Sequence, residues 1–142
     1  MFMGEYNHTI DTKGRLIVPA KFREQLGEAF VISKGLDGCL YIYTNEAWET
    51  FLENLNQLPP SKNSRHLVRF FSAGANMVEV DKQGRILVPP TLREYAGLEK
   101  DVVLAGVAGR IEVWSKESWL GETECDDIDD IAEQMAEFGL SI

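Results

Sequence analysis

Two arginines leave the same kind of tight turn, seventy positions apart in this 142-residue chain. Arg15 ends Asp11-Thr-Lys-Gly-Arg15 and Arg85 ends Asp81-Lys-Gln-Gly-Arg85. Asp suits the first position of a type I turn, and Gly14 or Gly84 at the fourth can take the positive φ of a G1 bulge. The spacing therefore places Lys13 at a turn tip and Arg15 on the strand just beyond it, with Lys82 and Arg85 in the corresponding places. A two-stranded β-ribbon fits the DNA major groove, where arginine bidentate to guanine is the commonest specific contact. Lys21, Arg23 and Arg93, on short helices that follow, are candidate phosphate contacts, which position a protein on DNA without reading it. A structural reading stands beside this one: Asp11 and Arg15 pair across the turn, close it, and present nothing to a partner.

Other chemistry has no visible home. There is no Gly-x-Ser-x-Gly elbow and no phosphate loop. Cys39 and Cys125 are the only cysteines, His8 and His66 stand alone, and no metal-ligand spacing occurs. Enzyme activity, a cofactor and a metal are accordingly not expected, and the cysteine usage fits a reducing cytosol. No apolar run approaches the roughly 18 residues of a membrane span, and the N-terminus lacks export features. The net charge of −9 argues at first against nucleic acid, but its distribution changes that. Eight acids (Glu122, Glu124, Asp126, Asp127, Asp129, Asp130, Glu133, Glu137) and no base follow Gly121. The chain before them holds 15 of the 23 acids and all 14 bases, a net charge of −1. The acidity is a property of the tail.

The elements that must position the two turns are themselves repeated. Asp, Gly, Arg, Val, Pro, Arg, Glu and Gly recur at the same offsets in 11–27 and 81–97. Tyr6–Ile10 alternates as a half-buried strand does and Arg15–Val18 returns as a second strand, so residues 6–18 read as a hairpin, with 77–88 its copy. Pro19 and Pro89 open short helices that Gly27 and Gly97 stop. Strands follow at 30–33 and 39–43, and Asn45 or Thr44 caps a helix with Trp48, Phe51, Leu52, Leu55 and Leu58 in one stripe. Pro59-Pro60 ends it, and a second helix spans about 61–72. Beyond Gly97 the match resumes at an offset of 71, where Trp48 becomes Trp119; both tryptophans read as core anchors. Ile128, Ile131, Ala132 and Met135 have the spacing of a marginal amphipathic helix. The repeat points to a two-fold arrangement in a mainly β, α+β fold. Its boundaries are 5–47 for the first unit, 48–74 for linking helices, 75–118 for the second unit and 119–142 for the acidic tail.

Met1-Phe-Met-Gly-Glu-Tyr6, Asp11-Thr-Lys-Gly-Arg-Leu-Ile-Val-Pro-Ala-Lys-Phe-Arg23, Asp81-Lys-Gln-Gly-Arg85 and Arg110-Ile-Glu-Val-Trp-Ser115 together resemble the MraZ family of bacterial transcriptional regulators. The likeness spans essentially the whole chain. It implies two SpoVT/AbrB-type swapped-hairpin units packed as an intrachain pseudo-two-fold β-barrel flanked by helices. It further implies a ring-shaped homo-oligomer in the cytoplasm, associated with the nucleoid, that binds double-stranded DNA. The implied target is short direct repeats in the promoter of the protein's own cell-division and cell-wall gene cluster. The family's Asp-x-x-x-Arg arginines map to Arg15 and Arg85. The second copy departs at Lys13, where Gln83 stands, although Lys82 precedes it. A ring would offset the weak charge of one protomer through avidity. Two alternatives remain: a ring-forming interaction scaffold whose acidic tail captures a basic partner, and an AbrB-type antitoxin.

Overall fold

The computed structural model describes residues 1–124 and 127–142; Cys125 and Asp126, read above as part of the acidic tail, lie outside the described residues. The elements in order are β1 (Phe2–Thr9), β2 (Arg15–Ile17), α1 (Ala20–Leu26), β3 (Ala29–Lys34), β4 (Leu40–Tyr43), α2 (Asn45–Asn56) and α3 (Lys62–Ala73). The second series is β5 (Ala75–Glu79), β6 (Arg85–Leu87), α4 (Pro90–Ala96), β7 (Asp101–Ala108), β8 (Ile111–Ser115) and α5 (Lys116–Thr123), followed by α6 (Ile128–Met135).

The chain is α+β, with a six-stranded antiparallel sheet in the order β1-β7-β8-β4-β3-β5 and a separate two-stranded sheet, β2-β6. Reversing the six-strand order exchanges each strand with its counterpart in the other repeat, so a pseudo-two-fold axis passes between β4 and β8. The registers place that axis. Leu16 faces Ile86 at the middle of β2-β6, and Tyr41 faces Glu112 at the middle of β4-β8. Each of these pairs joins equivalent positions of the two repeats.

The hairpin expected over 6–18 is corrected by this pairing. β1 forms its ladder with β7, and β2 forms its ladder with β6. Only the mouth of a hairpin remains, an Ile10–Leu16 bridge and a 3.1 Å bond from the Asp11 N–H to the Arg15 carbonyl. The reason is length and burial. β2 has three residues before Pro19 removes a ladder donor. β7 offers eight residues, of which Val102, Val103, Leu104 and Ala105 are buried. The strands beyond the turns are therefore exchanged between the repeats.

Two packed layers flank the large sheet. Strand alternation sends Leu40 and Ile42 of β4 to one face and Tyr41 and Tyr43 to the other. On the first face they meet Leu16, Val18, Ile86, Val88, Phe22 and Leu92, which belong to or border β2, β6, α1 and α4. Full burial of Phe22 and Leu92 is worth about 1.5–3 kcal/mol each. On the second face Tyr41 and Tyr43 pack with Trp48, Phe51 and Phe71 under α2 and α3, while Trp119 of α5 packs edge-on to Trp114 at 6.0 Å. Trp48 thus anchors the core as expected, whereas Trp119 is only partly buried and packs against the edge of that cluster. Thr44 caps α2 through the Ala47 N–H, and Ser61 forms a capping box with Ser64 at α3. α6 forms where its spacing predicted, with Ile128, Ile131 and Met135 exposed.

Candidate nucleic-acid interface

The β2-β6 ribbon lies on the far side of the molecule from α2 and α3. Leu16 and Ile86, 0% and 1% exposed, point into the core. Their neighbours must point out, because successive strand residues alternate. Arg15 opposite Leu87 and Ile17 opposite Arg85 therefore share one outward face. The two arginines are diagonal neighbours, a relation that separates Cβ atoms by roughly 7–8 Å.

A turn flanks each end of this face. The Asp11 carboxylate accepts from the backbone N–H groups of Lys13 and Arg15 at 3.0 and 2.9 Å and from Arg15 Nε at 2.6 Å. Asp81 repeats this with Gln83, Arg85 and Arg85 Nε, each at 2.9 Å. The Gly14 and Gly84 N–H groups close the turns onto the Asp11 and Asp81 carbonyls at 3.0 Å. Bonds from the Arg15 N–H, then its side chain, hold the Asp11 carboxyl below its ordinary range; Arg85 does the same for Asp81. The pairing read from the sequence as a structural alternative is thus present. Exposed pairs of this kind contribute only about 0–1 kcal/mol, so their main effect is to aim the guanidinium. Each aspartate engages Nε, which leaves the outer edge of Arg15 for another acceptor, while Arg85 Nη2 donates a long bond to Gln83 Oε1 at 3.4 Å.

Arg23 and Arg93 are held by their own repeat and lie against the opposite one. Arg23 Nε donates to the Val18 carbonyl at 2.9 Å, and Arg93 Nε to the Val88 carbonyl at 3.0 Å. A methyl added at Gly84 would lie 2.9 Å from Arg23 Cζ, and one at Gly14 would lie 2.7 Å from Arg93 Nε. Each helix arginine therefore lies against the turn of the other repeat. The backbones are laced there too, Val18 N–H to the Gly84 carbonyl at 2.9 Å and Val88 N–H to the Gly14 carbonyl at 2.8 Å. The two clusters are Asp11, Lys13, Gly14, Arg15 with Arg93, and Asp81, Lys82, Gly84, Arg85 with Arg23. Lys13, Lys21 and Lys82 are exposed and form no ion pair among the described residues.

Ile17 and Leu87 share the outward face with the two arginines, a placement that the sequence does not reveal. Arg15-Leu-Ile-Val18 reads as one apolar run, and only its register shows that Leu16 and Val18 are inward while Ile17 is not. Elsewhere, burial pushes the Cys39 thiol up to about 12, which keeps it protonated and unreactive at neutral pH. No helix is long and apolar enough to cross a membrane among the described residues.

A duplicated α+β chain, with two arginine-bearing turns bracketing an exposed ribbon, is the class that this geometry defines. Comparison with known proteins makes it specific. The family model described as "MraZ protein, putative antitoxin-like" matches residues 1–71 and again 70–137. A "Transcriptional regulator MraZ" of Lachnoclostridium phytofermentans is 60% identical over 141 residues, 99% of each chain. Proteins of the same name from Clostridium acetobutylicum and Acetivibrio thermocellus are 53% and 54% identical, over 99% of this chain and 100% of theirs. The solution structure of PHS018 from Pyrococcus horikoshii covers 80% of this chain and 88% of its own at a TM-score of 0.32 and 18% identity, too distant to argue from. The chain belongs to the MraZ family.

Proposed function

We propose that this protein is a sequence-specific DNA-binding transcriptional regulator whose β2-β6 ribbon enters the major groove. The observation that carries this reading is the common outward face of Arg15 and Arg85, each oriented by an aspartate through Nε, with the outer edge of Arg15 open and that of Arg85 held only by a 3.4 Å bond to Gln83. Such a fork matches guanine O6 and N7. Lys13, Lys82 and Lys21 add charge that attracts the phosphate backbone, with Arg23 and Arg93 beside the turns. The exchanged strands support the assignment of 5–47 and 75–118 as two swapped-hairpin, AbrB-like units, with 48–74 linking them and 119–142 as a tail.

The reading extends to a cytoplasmic, nucleoid-associated protein acting on short direct repeats upstream of its own cell-division and cell-wall gene cluster. One protomer is nearly neutral before its acidic tail, and affinity grows with the number of phosphates neutralised. A ring-shaped homo-oligomer engaging several repeats at once would compensate through effective concentration.

A gel shift on the DNA upstream of the protein's own gene tests this, comparing native protein with Arg15→Ala. The variant loses one bidentate base contact, about 1–3 kcal/mol per engaged protomer. Native protein that ignores this DNA at low salt, or a variant that binds it equally well, defeats the reading. Capture of a basic protein through 121–142 without DNA retention would favour the scaffold. The antitoxin-like wording of the family description makes an adjacent toxin gene the discriminator for that alternative.

A further inference from the structure

We propose that Ile17 and Leu87 read thymine methyl groups next to the bases that Arg15 and Arg85 contact. The inference rests on the DNA-binding reading above and goes beyond it, to which bases the ribbon selects. Ile17 is 41% exposed and Leu87 59% exposed. Single exposed aliphatics are ordinary on protein surfaces. These two occupy equivalent positions of the two repeats, and each stands directly across the ribbon from an arginine. Their side chains offer neither donor nor acceptor, so they gain nothing from a phosphate and desolvate a polar base edge at a cost. In the major groove the thymine C5-methyl is the apolar group that such side chains can contact favourably.

The spacing fits. Directly opposed Cβ atoms on an antiparallel ribbon lie roughly 4.5–5.5 Å apart, and successive bases on one strand are separated by about 3.4 Å along the axis. An arginine on guanine therefore brings the aliphatic group opposite it over a base one or two steps away. The corners of the face run Arg15, Leu87 at one end and Ile17, Arg85 at the other, so the pairing occurs twice, related by the pseudo-two-fold axis. A bound box should carry a thymine one or two steps from each guanine that an arginine reads.

The test replaces thymine by deoxyuridine, one position at a time, in the shortest promoter fragment that the full-length protein binds. Deoxyuridine keeps every hydrogen-bonding group and removes only the methyl. Native protein should lose about fourfold in affinity per engaged protomer at the contacted thymine, the factor for one buried methylene-sized group. Ile17→Ala should bind thymine and deoxyuridine alike at the position nearest Ile17, and Leu87→Ala at its own. Ile17→Val, which keeps a branched apolar tip, should retain the discrimination, and matching thermal midpoints for the variants exclude misfolding as the cause. Arginine-dependent binding that no deoxyuridine weakens, a discrimination that survives Ile17→Ala and Leu87→Ala, or a box with no thymine within two steps of a guanine overturns the methyl reading alone. Native protein that binds no promoter DNA removes both readings. Variants that alter only the mass of the oligomer would reassign the two aliphatics to a contact between copies.

Discussion

In the first turn Arg15 gives Nε to Asp11 at 2.6 Å, and Lys13 at the tip has no carboxylate partner among the described residues. In the second, Arg85 gives Nε to Asp81 at 2.9 Å and also reaches Gln83 Oε1 through Nη2 at 3.4 Å. Its side chain is correspondingly less exposed, 27% against 38% for Arg15. The backbones of the two turns are near copies, both closed by Asp and by Gly at φ +90° and +79°. Duplication has preserved what the fold needs, and the divergence lies in the groups that a partner would meet. Arg15 is the better presented arginine, and Arg85 must give up a long hydrogen bond to Gln83 before its outer edge is wholly free.

The sharpest check on that comparison is a place where the halves should not differ. Leu16→Ala and Ile86→Ala each empty one side of the same pair at the pseudo-two-fold axis, and each should cost about 2–5 kcal/mol in urea unfolding. Clearly unequal losses would show that the symmetry of the pairing is not a symmetry of energy.

The glycines come next. Gly14→Ala and Gly84→Ala both force a side chain into positive φ, a strain of about 1–3 kcal/mol. Gly14→Ala should be the worse, because its methyl meets the Val88 carbonyl at 3.0 Å as well as Arg93, whereas the contacts at Gly84 are with the movable end of Arg23. Thermal midpoints that rank the other way would place the rigidity in the arginines rather than in the backbone.

A smaller change should erase the difference in how the two arginines are presented. Gln83→Lys removes the Arg85 acceptor and restores at the second turn the lysine of the first. DNA affinity should rise by up to about 1 kcal/mol per protomer, with the salt slope steeper by about one phosphate. Unchanged binding with an unchanged slope would leave the second turn off the DNA.

Acid gives the smallest effect. The carboxyls of Asp11 and Asp81 are held below their ordinary value of 3.8 in the folded chain. Their stabilisation is therefore complete above that value and fades as pH falls below it, through the folded value. A double Asp11→Asn, Asp81→Asn variant should show a shallower fall in thermal midpoint below about pH 4 and the native pH dependence above it. A native-like acid limb in that variant would assign the acid sensitivity to other carboxylates.

What could be read from the sequence follows how local the cause is. Pro19 with Gly27 and Pro89 with Gly97 bound α1 and α4 as expected, because each boundary is a backbone property of one residue. The Asp-x-x-Gly-Arg turns were legible for the same reason. Strand partners were not, since residues 6–18 contain a plausible hairpin and nothing in them reveals the longer, better buried ladder that β7 provides. The site divides the same way. Arg15 and Arg85 announce themselves by motif. That Arg23 lies over Gly84, and that Ile17 rather than Leu16 faces outward, depends on contacts and register made across the two repeats.

The pairing of β1 with β7 also has a consequence on the ribosome. Phe2–Thr9 is translated nearly a hundred residues before its ladder partner among the described strands, Asp101–Ala108. Until β7 has been made, the backbone groups of those eight residues lack the ladder partner they have in the folded chain, and an unpaired strand edge is a template for any neighbouring strand. Two chains growing side by side on one message can exchange that strand before either can pair it within itself. The pace of translation between the two repeats then bears on how much of the protein folds as single chains.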